Sequence, residues 1–220
     1  MDENLKTRIA EMVIAELTQR GVRIEKSAFR VPVAISARHV HLSEEDLYLL
    51  FGTGYELSVH RDISQPGQYA AQETVTIEGK KGNLENVRVV GPVRAETQVE
   101  ISRTDAFALG MDVPVKPSGN LAGTPGIRIR GPKGVLELAK GIIVADRHIH
   151  MTPRDAAQFG CSDGEKVHVR VGGVKPGILG GVIIRVSPAS SLELHLDTDD
   201  ANAFFLNNGD LLEVIKKENF

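Results

Sequence analysis

From Val31 to Ile215 the chain is written in short runs where apolar and polar residues alternate or apolar residues cluster: "VPVAIS", "ETVTIEG", "NVRVVGP", "TQVEIS", "IRIRG", "GIIVAD", "KVHVRVGG", "GGVIIRVS", "LELHLDT" and "LLEVIK". Gly, Pro, Asn and Asp separate them. Residues i and i+2 of an extended chain face the same side, so these runs predict many short strands in a barrel or sandwich. A longer helical period occurs in Glu3–Arg20. There Leu5, Ile9, Met12, Val13 and Leu17 recur at steps of three and four, one face of an amphipathic helix, with Gly21 as its stop. This helix is expected either to pack on its own domain or a dimer partner, or to dock elsewhere as a detachable tag.

One short pattern appears twice. "ARHVHL" at Ala37–Leu42 returns as "DRHIHM" at Asp146–Met151. Each copy runs into a helix signature: Ser43 can cap "EEDLYLLF" with Asp46 at the third position, and Thr152 can cap "PRDAAQFG" with Pro153 first and Asp155 third. The repeated unit is therefore strand, His-x-His, cap, helix, turn, strand. It predicts a mainly β fold of two barrel-like modules related by an internal repeat, over residues 29–140 and 141–216, with strands free to be exchanged between them. Residues 1–28 are helix and linker.

Composition narrows the function. The 220 residues carry 26 basic and 29 acidic side chains, a net charge of −3, which lacks the basic footprint of a nucleic-acid binder. Phosphate binding must be local. With 22 glycines, 10 prolines and 5 % aromatics, the chain suits tight turns and short strands. Its single cysteine, Cys161, excludes an internal disulfide, fits a reducing compartment and reads as a small buried side chain. No apolar run approaches the roughly 20 residues that cross a bilayer, and the first residues are acidic, so a cytoplasmic protein without membrane association is expected.

The histidines carry the chemistry. Two histidines at i and i+2 of a strand share a face, and their imidazoles can converge on one ion or on two neighbours, while Val40 and Ile149 turn into the core. One such pair is more often a polar strand face than a ligand set. Two pairs in equivalent contexts point to metal, because a duplicated fold can bring equivalent strands together. Further ligands are expected on strands with a suitable polar face: His195 in "LELHLDTD" and Glu100 in "TQVEIS". His60 and His168 lack a partner at ligand spacing and are read as ordinary polar or core residues. Imidazole and carboxylate without thiolate suit zinc, with cobalt, iron and manganese left open.

At these residues the sequence resembles the PduL-type phosphate propanoyltransferases, zinc-dependent phosphotransacylases associated with propanediol degradation and bacterial microcompartments. The likeness is carried by "ISARHVHLS", "SQPGQYAAQETV", "NVRVVGP", "QVEISRTDA", "SGNLAGTPGIR", "ADRHIHMTPRDA", "IRVSP" and "LHLDTDDANA". It implies two β-barrel-like modules capped by short helices, with a two-zinc site between them. His39, His41 and Glu100 would hold one zinc, and His148, His150 and His195 the other. Arg94 would be the phosphate-binding and catalytic arginine, and Ser36, Ala37, Arg38, Lys81, Arg88 and Asn202 the CoA contacts. The implied reaction is reversible: acyl-CoA, propanoyl-CoA first and acetyl-CoA next, plus phosphate gives acyl phosphate plus CoA by direct attack of phosphate. Two other readings stand beside it: a dinuclear zinc hydrolase acting on a thioester, and a non-catalytic microcompartment module. The N-terminal helix also resembles the targeting helices that deliver such enzymes to a shell, which would place the protein in the microcompartment lumen. A homodimer is a further expected partner.

Overall fold

The computed structural model describes residues 29–215 together with residues 12, 13 and 16. The expected N-terminal helix thus lies outside the described residues, apart from Met12, Val13 and Glu16. Two sheets make up the molecule. In the first, β1 (Arg30–Ser36), β14 (Glu193–Asp197), β11 (His148–Met151), β13 (Gly177–Val186), β12 (Lys166–Val171) and β15 (Leu211–Ile215) close into a barrel in that order. The second is a curled open sheet of nine strands. Its order is β7 (Val115–Lys116), β10 (Ile142–Ala145), β6 (Gln98–Ile101), β2 (His39–His41), β5 (Asn83–Gly91), β4 (Tyr69–Glu78), β8 (Ile127–Arg130) and β9 (Val135–Leu138), with β3 (Val59–Asp62) paired to β4.

The sheets draw strands across residue 140. β1 lies beside β14 in the barrel, and β10 lies beside β6 in the open sheet. With that exchange the two His-x-His strands have neighbours of matching direction. β2 is parallel to β5 and antiparallel to β6; β11 is parallel to β13 and antiparallel to β14. The halves differ in closure because one strand, β15, pairs with both β12 and β1, whereas β8 pairs with β4 and β7 with β10, leaving a gap.

Among the described residues four helices cap the strands: α1 (Glu44–Phe51), α2 (Arg103–Leu109), α3 (Pro153–Phe159) and α4 (Thr198–Ala203). Ser43 accepts from the Asp46 amide to start α1, and Thr152 accepts from the Asp155 amide to start α3, where Pro153 stands in the first turn. Both α2 and α3 stop at a glycine in the left-handed region, Gly110 at φ 69° and Gly160 at φ 61°, a conformation that costs a residue with Cβ.

Each half has its own core. Val40 packs in the open sheet and Ile149 in the barrel, both fully buried, each contributing about 1.5–3 kcal/mol of apolar burial. Cys161 sits in the barrel core, as its sequence context suggested. With Val40 and Ile149 turned inward, the flanking histidines must leave the opposite face of their strands.

Candidate metal centre

Strand register builds the site. His39 stands opposite Glu100 and His41 opposite Gln98 across β2 and β6. In the barrel His148 stands opposite His195 and His150 opposite Glu193 across β11 and β14. Each half thus presents a square of four side chains. In each square, three residues bring their ligand atoms within 4.8 Å of one another: His39, His41 and Glu100, and His148, His150 and His195.

Ring orientation is fixed from behind. His39 Nδ1 donates to the Ala37 carbonyl at 2.9 Å, His41 Nδ1 to Val90 at 3.0 Å, and His148 Nδ1 to Asp146 at 2.8 Å. A proton committed to Nδ1 leaves the Nε2 lone pair free. The Nε2 atoms of His39 and His41 lie 3.2 Å apart, and those of His148 and His150 3.1 Å apart. At His39 and His41, whose Nδ1 protons are both committed, two facing lone pairs at such a distance repel unless a cation lies between them, so these donors fit a metal ion. Burial, aided by neighbouring positive charge, drives the His41 pKa down to about 3 and the His150 pKa to about 3. Burial likewise lowers His148 to about 4. These imidazoles are neutral ligands at neutral pH.

Glu100 is buried at 8 % exposure. Burial alone would raise its pKa, but the facing His39 and His41 and the Ser118 hydroxyl, donating at 2.7 Å, outweigh it and hold the carboxylate near 2. Its oxygens stand 3.7 Å from His39 Nε2 and 4.0 Å from His41 Nε2. Gln98 donates to the same carboxylate.

Both groups open onto one cavity of about 250 Å³ between the sheets, lined by His39, His41, Glu100, His148 and His195 together with Arg94 and Arg185. Arg94 is half-buried and touches Gln68 Oε1 at 3.5 Å. Burial lowers its pKa, Glu100 opposes that and Arg185 adds to it, so two guanidiniums share the space. Ser36, Ala37, Arg38 and Arg88 form part of the same lining. Arg88 is already engaged, donating to the Ala71 and Gln72 carbonyls at 3.0 and 2.7 Å. Lys81 and Asn202 are exposed and stand outside that lining. His60 lies on exposed β3 and His168 on β12, in neither group.

Sequence reasoning missed several residues. Arg38 pairs with Asp105 at 2.9 Å and Arg147 with Asp200 at 3.3 Å, tying the arginine of each repeated motif to the helix that follows β6 or β14. The signal was present, since each aspartate lies five positions past Glu100 or His195. Arg185, beside the inward Ile184 on β13, was legible from alternation. Glu193 shares a face with His195, yet its bonds to Ser64 and Gln65 come from the other sheet and have no local signature.

Comparison with known proteins places this geometry. The chain matches the family model described as phosphate propanoyltransferase over residues 32–207. A phosphate propanoyltransferase of Thermotoga maritima is 58 % identical over 84 % of this chain and 88 % of its own. One from Rhodopseudomonas palustris is 50 % identical over 99 % of both, and one from Salmonella typhimurium 47 % identical over 94 % and 95 %. The chain belongs to the phosphate propanoyltransferase family, a family of acyltransferases.

Proposed function

We propose that the chain holds two zinc ions, one in each group, and moves an acyl group, propanoyl first, between CoA and phosphate. The observation that carries this reading is that both donor groups and Arg94 face one cavity. Bound zinc supplies Lewis acidity for the thioester carbonyl and charge stabilisation for the departing thiolate.

The chain's own residues supply the rest. Arg94 presents a planar fork that matches two phosphate oxygens, a geometry an ammonium does not reproduce. Its partial burial strengthens the grip, because a guanidinium partly withdrawn from water gains more from an anion than one in bulk water. Arg185 adds a second positive charge on the same wall. Phosphate is itself the nucleophile, so the reaction needs no protein nucleophile, and Cys161 stays in the barrel core. Ser36, Ala37, Arg38 and Arg88 in the lining, with Lys81 and Asn202 outside it, suit the long CoA moiety. Encapsulation through residues 1–28, a place in a microcompartment lumen and pairing with a second copy complete the reading; the first two rest on the amphipathic spacing near the N-terminus and on the family resemblance.

The test is thiol release from propanoyl-CoA by metal-loaded protein, with and without phosphate. The expected result is release that depends on phosphate, two metal ions per chain, and a loss on the order of 100-fold in Arg94→Ala that Arg94→Lys does not restore. Release without phosphate would make the chain a hydrolase. No release from fully loaded protein, with Arg94→Ala indifferent, would make it a binding module.

A further inference from the structure

Each metal group has a fourth corner, and the two corners are filled differently. Beside Glu100 stands Gln98, an amide that donates to the carboxylate. Beside His195 stands Glu193, a carboxylate whose Oε2 lies 2.9 Å from His195 Nε2 and outside the group of three. The same oxygen accepts from Ser64 Oγ at 2.5 Å and from Gln65 Nε2 at 3.1 Å. Gln65 is 3 % exposed and is locked onto the strand's approach, donating to the Ser191 carbonyl at 3.1 Å and accepting from the Ser191 amide at 3.2 Å. Ser64 and Gln65 belong to the connection between β3 and β4 of the open sheet, whereas Glu193 and His195 belong to the barrel.

We infer that Glu193 is a positioning residue for the second metal group, orienting His195 through Nε2 and reserving Nδ1 for the ion. The assignment rests on the metal reading above. An ionised carboxylate offers only acceptors, so the ring nitrogen facing it must carry the proton. The lone pair then falls on Nδ1, the reverse of His39, His41 and His148, whose Nδ1 atoms are held by carbonyls. A carboxylate behind a ligating imidazole fixes its tautomer and raises its basicity. Because Ser64 and Gln65 hold that carboxylate, ion retention in the barrel depends on a connection from the opposite sheet.

The experiment is chelator competition on the full-length, metal-loaded chain and its Glu193→Ala, Glu193→Gln and Gln65→Ala variants, with nitrogen-15 NMR of the histidine rings. In Glu193→Ala one ion of two should bind about 10–100-fold more weakly while the other keeps its affinity. Glu193→Gln and Gln65→Ala should weaken the same ion by less, and either serves if the alanine variant fails to fold. NMR should place the His195 proton on Nε2 in the parent and not in Glu193→Ala. Two ions held equally well by every variant, or a His195 proton on Nδ1 in the parent, would overturn the assignment of Glu193 alone. A parent chain that takes up no divalent metal would overturn the metal reading, and this one with it.

Discussion

The open sheet and the barrel solve the same geometric problem with the same backbone and different side chains. In both, a His-x-His strand lies between a parallel and an antiparallel neighbour, and a helix leaves at once. The open sheet puts its carboxylate inside the trio, at Glu100; the barrel puts a third imidazole there and moves the carboxylate one step out, to Glu193. A divalent ion held by two imidazoles and a carboxylate keeps a formal charge near +1, and one held by three imidazoles keeps +2. An ion held in the barrel group would then be the stronger electrophile, and one held in the sheet group the better neutralised anchor. The two halves share the arrangement of these strands and differ at two corners, Glu100 against His195 and Gln98 against Glu193.

Removing each histidine pair breaks that comparison most strongly. His39→Ala with His41→Ala should empty the sheet group, and His148→Ala with His150→Ala the barrel group. Each should leave about one ion per chain, counted by elemental analysis, and cost several kcal/mol of barrier, about 10²–10⁴ in turnover. If either double variant kept full turnover with one ion, that half would be structural. A subtler change, Glu100→His, gives the sheet the barrel's donor set. Retained metal with reduced turnover is expected, and unchanged turnover would mean that the difference between the groups is chemically idle.

Acid should separate the halves next. His41, His148 and His150 sit at about 3, 4 and 3 in the fold against an ordinary 6.5, with burial the leading cause. Between pH 6.5 and about 3 the unfolded chain takes up protons that the folded chain refuses, so stability is full above 6.5 and falls as the pH drops through that window. At pH 5 the loss for the metal-free chain is about 1–2 kcal/mol for each of the well-buried His41 and His148, and less for the more exposed His150. Denaturant unfolding at pH 7.5 and pH 5 measures it. His148→Gln with His150→Gln should flatten the dependence more than His41→Gln, since two of the three groups lie in the barrel; equal flattening would contradict these shifts.

Much of this was legible in the chain itself. Alternation marked the strands, and Ser43 and Thr152 marked two helix starts, because both signals arise from neighbours in sequence. The repeated His-x-His pointed to metal, since two copies at one strand spacing share a geometry. What stayed hidden needs partners far apart in sequence: which strands the halves exchange, β1 and β10, and the bonds from Ser64 and Gln65 to Glu193. Alternation also favours a solvated reading of Glu100, yet "QVEI" is buried on both faces, because β6 runs between two strands with the core on one side and the metal group on the other.

The smallest test concerns the helices that follow each pair, where equal sequence signals gave unequal structures. At Thr152 the cap is reciprocal: its hydroxyl accepts from the Asp155 amide at 3.1 Å, and the Asp155 carboxylate accepts from the Thr152 amide at 2.9 Å. At Ser43 the hydroxyl accepts from the Asp46 amide at 3.2 Å, but the Asp46 carboxylate turns away to accept from Thr97 Oγ1, and that same oxygen accepts from the Ser43 amide at 2.9 Å. The box is therefore closed within one helix turn in the barrel and through β6's approach in the open sheet. Thr152→Ala removes one acceptor and loosens the other half of its box, for about 1–2 kcal/mol. Ser43→Ala leaves the Thr97 relay in place and should cost about 0.5–1 kcal/mol, while Thr97→Val, which breaks that relay, should cost more than Ser43→Ala. Thermal unfolding of the metal-free variants ranks them. Equal losses for Ser43→Ala and Thr152→Ala would mean that the relay through Thr97 does not carry the cap.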